Sequence, residues 1–176
     1  MSARSLSRTF SSCLLRVFMI NFNRIDEDIF VGSTPRNMVD IGRLHKQLKV
    51  TAVLSLQTDA DFKNYQIDFS QLLQGYEAAN IRLERFPITD FDADDMGKKL
   101  VEPVQKLAEL IGQGYRVYVH CNAGICRAPG TVLGYLHVYR GMPLEEGLAY
   151  LREKRPMVNP YMDAVRQAMT AFPESS

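Results

Sequence analysis

From Asn21 onward the chain alternates short apolar runs with stretches whose apolar residues recur at helical spacing. Ile29-Phe30-Val31-Gly32 reads as a short strand. Ser33-Thr34-Pro35 then offers a helix start, ahead of Met38, Ile41, Leu44, His45 and Leu48 one helical turn apart. Residues 50–56 form an apolar run suited to a buried strand. Residues 67–79 predict a helix, 81–86 a strand with alternating faces, and 96–111 a helix stopped by Gly112 and Gly114. A strand over 116–120 comes next. Three helices close the chain, over 129–140, 143–154 and 160–172, each opened by a proline near its first turn.

Strands separated by helices predict an α/β fold, with a central, mostly parallel sheet covered by helices on both faces. The 176 residues, 46% of them hydrophobic, are enough for one domain with a full core and leave little for a second. The first eighteen residues stand apart: they carry Arg4, Arg8 and Arg16, many serines and no acid. That bias fits a transit peptide, and equally a true start at Met19; either way residues 19–176 make up the domain. Cys13, inside this extension, has no assignable role.

A formal net charge of +1 supplies no single-sign field for a nucleic acid or membrane surface, and no apolar run approaches the ~20 residues of a membrane span. A soluble protein follows. Three unpatterned cysteines argue against a disulfide scaffold and suit a reducing compartment, the cytoplasm or an organelle interior. Oligomeric state leaves no trace in the sequence.

The chemistry concentrates where the strand Val117-Tyr118-Val119-His120 runs through Cys121-Asn122-Ala123-Gly124-Ile125-Cys126-Arg127 into a helix. A compact loop ending at a helix N-terminus turns backbone N–H groups inward, and the helix end adds partial positive charge, so the loop is suited to a phosphate. Such surroundings, with Arg127, favour the thiolate of Cys121, the reactive form of a nucleophile. The Arg127 guanidinium can grip two phosphoryl oxygens at once, and Gly124 lets the backbone approach the anion. The backbone of residues 122–127 is the expected phosphate cradle: Asn122, Ala123, Gly124, Ile125, Cys126 and Arg127. His120 is expected to support the loop by hydrogen bonding. Metal binding is not expected, since His120, Cys121 and Cys126 lack a fourth ligand and the usual paired spacing.

This loop resembles the signature loop of the cysteine-dependent protein tyrosine and dual-specificity phosphatases. The resemblance implies a single protein-tyrosine-phosphatase-like domain, no cofactor, and two displacements at phosphorus through a cysteinyl-phosphate. A general acid is needed for the leaving oxygen, and Asp90-Phe91-Asp92-Ala93-Asp94-Asp95 offers four aspartates after a strand end. Spacing alone does not choose among them. The family carries its acid about thirty residues before the cysteine, which favours Asp90 over Asp92, while Asp94 or Asp95 is expected to cap the helix beginning near Met96.

Three features are similar, more narrowly, to the plant-type, laforin-related glucan phosphatases: Arg127-Ala128-Pro129, with alanine where most dual-specificity enzymes have serine or threonine; Asp90-Phe91-Asp92; and a diffuse similarity from about Asn21 to Ala168. That resemblance implies a phosphorylated glucan substrate, with Phe91, Tyr65 and Phe22 as sugar-stacking contacts; packing in the core is the alternative for each and accounts equally well for Tyr65 and Phe22. A phosphoprotein phosphatase is the alternative, ahead of a lipid phosphatase, a sulfurtransferase or a phosphate-binding pseudoenzyme. Cys126 replaces the glycine usual in the glucan enzymes; it either fills a turn or forms a reversible disulfide with Cys121.

Overall fold

The structure, a computed structural model, describes residues 19–172. The expectations for residues 1–18, Cys13 included, lie outside that range. Five strands form one sheet: β1 (Phe22–Arg24), β2 (Ile29–Gly32), β3 (Ala52–Ser55), β4 (Arg82–Arg85) and β5 (Val117–His120), ordered β1-β2-β5-β3-β4. Only β1 runs antiparallel to its neighbour; β2, β3, β4 and β5 are parallel.

The central strand shows how the apolar runs encode this sheet. Val117 and Val119 of β5 point to one face with Ile29, Val31, Ala52 and Leu54; Tyr118 points to the other with Phe30 and Val53. Both faces are covered, so β2, β3 and β5 are buried along their whole length, and polar alternation gives way to continuous hydrophobicity. Helices α1 (Met38–Lys46), α2 (Asp59–Asn64) and α3 (Phe69–Ala78) supply Ile41, Leu44, Phe62, Leu72 and Tyr76 to the Tyr118 face. Helices α4 (Ala93–Lys99), α5 (Val101–Gly112), α6 (Arg127–Arg140), α7 (Leu144–Lys154) and α8 (Met162–Met169) build the larger core on the Val119 face.

Several local expectations change. Helix α1 starts at Met38, not in Ser33-Thr34-Pro35, because Asn37 is the N-cap and accepts from the N–H groups of Val39 and Asp40. The single helix expected over 96–111 is two, α4 and α5, meeting at Leu100. Helix α4 begins at Ala93 and its cap is Asp92, which accepts from Asp95 N–H, rather than Asp94 or Asp95. Helix α6 begins at Arg127, two residues before Pro129, which places the arginine in the first turn. Helix α7 starts just after Pro143 and α8 at Met162.

The parallel strands put their carboxyl ends on one edge of the sheet. The segments after β2, β3, β4 and β5 carry Thr34, Gln57, Asp90 and Cys121 to that edge.

Candidate active site

The loop from Cys121 to Arg127 is held from outside by its carbonyls. The Cys121 carbonyl lies 3.2 Å from His120 Nδ1, and that of Asn122 accepts from Thr34 N–H at 3.1 Å. Arg155 donates to the carbonyls of Ala123 (2.9 Å, from Nη2) and Gly124 (2.8 Å, from Nε). Asn159 N–H donates to Ile125 (2.7 Å), and Gly130 N–H to Cys126 (2.9 Å). In a planar trans peptide the N–H points opposite the preceding carbonyl. Six carbonyls engaged with partners around the loop therefore turn the N–H groups of residues 122–127 toward its centre, at the N-terminus of the 14-residue α6. Gly124 is indispensable to this curvature: its φ is +67°, and a Cβ there would stand 2.4 Å from the Gly32 carbonyl oxygen.

Arg155 went unnoticed in the sequence. It is completely buried, and its third bond, from Nη1 to Asn23 Oδ1 at 2.8 Å, ties α7 and the loop to β1. His120 is buried in the sheet, and burial depresses its pKa to about 4 despite the opposing contact with the Cys121 carbonyl. The ring is thus neutral at neutral pH. Its Nδ1 carries the proton, because a carbonyl can only accept.

Arg127 is also buried, and its two terminal nitrogens have different surroundings. Nη1 donates to Asp61 Oδ2 (2.9 Å), to the Ile88 carbonyl (2.8 Å) and, at 3.4 Å, to that of Leu56. Nη2 stands 3.0 Å from Asp90 Oδ2, an ion-pair distance that lacks hydrogen-bond alignment, and neither Nη2 nor Nε makes a hydrogen bond among the described residues. Burial works against the charge, but Cys121, Asp61 and Asp90 outweigh it and raise the arginine's pKa. Two buried, unbonded guanidinium nitrogens that interact electrostatically with Cys121 can receive the oxygens of an anion.

Asp61 is the second residue that sequence reasoning missed. Its capping box with Thr58, the N-cap of α2, was the available signal. Besides Arg127 it accepts from Asn122 Nδ2 at 2.7 Å and from Thr58 N–H at 2.9 Å. Burial alone would raise its pKa; the bonds from Asn122, Arg127 and Thr58 reverse that and keep it below the usual carboxylate value.

The four aspartates of residues 90–95 separate by geometry. Asp90 turns inward, with Oδ2 2.8 Å from Asn122 Nδ2 as well as beside Arg127. Asp92 caps α4; Asp95 accepts from Thr89 N–H at 2.7 Å and pairs with Lys99. Phe91, between the inward and the capping residue, has a φ of +59° and is 89% exposed.

Two cavities flank the loop and share Tyr65 and Asn122. One of about 380 Å³ has Met19, Ile20, Ile125 and Met157 as apolar walls; the other, of about 320 Å³, is bounded by Thr58, Asp61, Asp90 and Phe91. Phe22 lines neither: it packs edge-on against Phe30 and Tyr118, with Arg43 over its ring. Cys126, half-buried at the N-cap of α6, lies 4.0 Å from Met96 Sδ, and burial pushes its thiol up to about 11. Cys121 and Cys126 are both unbridged. No helix among the described residues is long and apolar enough to cross a membrane.

Residues 29–172 match the family model described as "Dual specificity phosphatase, catalytic domain". The chain is 33% identical over 151 residues to the amyloplastic phosphoglucan phosphatase DSP4 of Castanea sativa, covering 85% of this chain and 40% of that one. It is 29% identical over 163 residues to laforin of Mus musculus, covering 87% and 49%. The chain thus spans less than half the length of these curated relatives. Among solved structures it is similar to Tk-PTP in the active form, with a TM-score of 0.69, 24% identity, and coverage of 86% of this chain and 97% of that one.

Proposed function

The chain belongs to the dual specificity phosphatase catalytic-domain family, and from that premise we propose that it hydrolyses phosphomonoesters through a cysteinyl-phosphate on Cys121, acting on phosphorylated glucan. The observation that carries the chemistry is the pair of buried, unbonded Arg127 nitrogens at the end of a loop whose carbonyls are engaged elsewhere. A phosphoryl group bound there gains two guanidinium bonds and the loop N–H groups while Cys121 Sγ attacks in line.

As the S–P bond forms and the P–O bond breaks, Asp90 gives its proton to the leaving oxygen. Water then attacks phosphorus, Asp90 takes its proton, and the P–S bond breaks to release phosphate and the thiolate. Asp61, bonded to Arg127 Nη1, anchors the guanidinium and leaves Nε and Nη2 available to the phosphoryl oxygens. His120 stays neutral and buttresses the Cys121 carbonyl.

The glucan assignment draws on the relatives named phosphoglucan phosphatase and on two exposed aromatics at the cleft, Tyr65 and Phe91, whose faces suit the C–H faces of a sugar. We place the protein in a reducing compartment, the cytoplasm or an organelle interior, and take residues 19–176 as the catalytic domain.

The test is phosphate release by wild type and Cys121→Ser from solubilised phosphoglucan, a phosphotyrosine peptide and an aryl phosphate. Preference for glucan, lost in the mutant, supports the reading. Turnover of peptide and aryl ester without glucan moves the substrate to phosphoprotein, and no release from any of the three overturns the enzyme assignment.

A further inference from the structure

The side chain of Asn122 is distinct in role from its backbone. Its Nδ2 donates to two carboxylates at once, Asp61 Oδ1 at 2.7 Å and Asp90 Oδ2 at 2.8 Å. Its Oδ1 accepts from Gln57 Nε2 at 2.7 Å, and Gln57 Oε1 accepts from Thr34 Oγ1 at 2.7 Å. Thr34 and Gln57 are buried, so bulk water does not substitute for a lost partner in this line. Each amide has one workable orientation: a flipped Asn122 would set its oxygen against two carboxylates, and a flipped Gln57 would deprive Asn122 of its donor.

Asp90 has few other holds. It sits on an exposed turn before Phe91, and among the described residues the other partners of its carboxylate are Arg127 Nη2 at 3.0 Å and the adjacent Phe91 N–H at 3.2 Å. A phosphoryl group entering the loop competes with Asp90 for Arg127 Nη2 and leaves the Asn122 contact in place.

We propose that Asn122 is a positioning residue for Asp90, with its carboxamide oriented by the Thr34–Gln57 line so that the acid stays over the cleft when substrate takes its place beside Arg127. The proposal rests on the reading of Asp90 as general acid. It goes beyond that reading by assigning the hold on the acid to residues reaching the site from the ends of β2, β3 and β5.

A mispositioned acid has a kinetic signature that a loosened loop does not. p-Nitrophenyl phosphate has a leaving group that departs readily without a proton; benzyl phosphate has one that does not. The experiment measures kcat/KM, which reports the steps through cleavage of the ester bond and not the later breakdown of the phosphoenzyme, on both for wild type, Asn122→Ala and Gln57→Glu, each also combined with Asp90→Asn. In Gln57→Glu the new carboxylate cannot donate to Asn122 Oδ1, so it turns the amide while preserving side-chain size, and this variant serves if Asn122→Ala does not fold. Both variants are expected to lose at least about tenfold more kcat/KM on benzyl than on p-nitrophenyl phosphate, with that difference vanishing in the Asp90→Asn background. Equal losses on the two esters, no loss, or a difference that persists without Asp90 would overturn the positioning role. If Asp90→Asn alone shows no leaving-group dependence, or wild type hydrolyses neither ester, the underlying assignment fails instead.

Discussion

Replacing Arg155 by Lys tests whether the proposed phosphate cradle is held from behind. The arginine donates from three nitrogens to three oxygens, those of Gly124, Ala123 and Asn23, at 2.8, 2.9 and 2.8 Å. A lysine ammonium, compact and on a different stem, can retain about one of these. Hydrogen bonds to charged groups are worth about 1.5 kcal/mol each at the low end, so losing two costs roughly 3 kcal/mol. For a chain of this size that corresponds to a fall of roughly 6–12 °C in Tm. The second effect is functional. With the Ala123 or Gly124 carbonyl released, its peptide can rotate, presenting an oxygen instead of an N–H to the anion. Affinity for inorganic phosphate should fall at least about tenfold, equivalent to about 1.4 kcal/mol. Urea unfolding and calorimetric phosphate titration of Arg155→Lys read the two effects separately. A variant as stable as wild type, with unchanged phosphate Kd, would refute the carbonyl-clamp reasoning.

Three further outcomes follow from the site. His120 has a folded pKa of about 4 against an ordinary 6.5, so the unfolded chain binds its proton first; the resulting stability is complete above pH 6.5 and lost as pH falls toward 4. Over that window unfolding free energy should drop by about 2–3 kcal/mol in wild type and by clearly less in His120→Asn, measured by urea titration; parallel curves would contradict the assignment. Gly124→Ala must place a Cβ 2.4 Å from the Gly32 oxygen at a φ of +67°, so it should cost about 3 kcal/mol or more, read as a lower urea midpoint, whereas a midpoint unchanged from wild type would mean the loop can re-route. Ala128→Ser restores a hydroxyl beside the loop and should accelerate breakdown of the phosphoenzyme in rapid-mixing kinetics; unchanged or slower breakdown counts against a role for the missing hydroxyl.

What the sequence disclosed depended on how local the determinant was. Strands β2, β3 and β5 are legible because burial on both faces makes them plain apolar runs. Strand β1 is not: three residues, none fully buried, paired antiparallel at the sheet edge, show no pattern without their partner. Helix α2 is only six residues long, too short to display periodicity, and the α4–α5 junction is hidden because buried Leu100 continues the helical pattern through it. The loop from Cys121 to Arg127 was readable as one contiguous motif. Its supports were not: Asp61 meets Arg127 across 66 positions, and Arg155 follows Arg152-Glu153-Lys154, a run that looks like solvated surface. Spacing left Asp90 and Asp92 open, and the helix cap that engages Asp92 shows only once the start of α4 is known.

The central claim is that phosphate passes through Cys121. Rapid-quench intact and peptide mass spectrometry of the protein mixed with an aryl phosphate, using Asp90→Asn to slow the second step, tests it most directly. The account predicts one phosphoryl increment on the peptide containing Cys121, absent in Cys121→Ser. Turnover that proceeds with no phosphoryl group on that peptide, or that survives in Cys121→Ser, would contradict it.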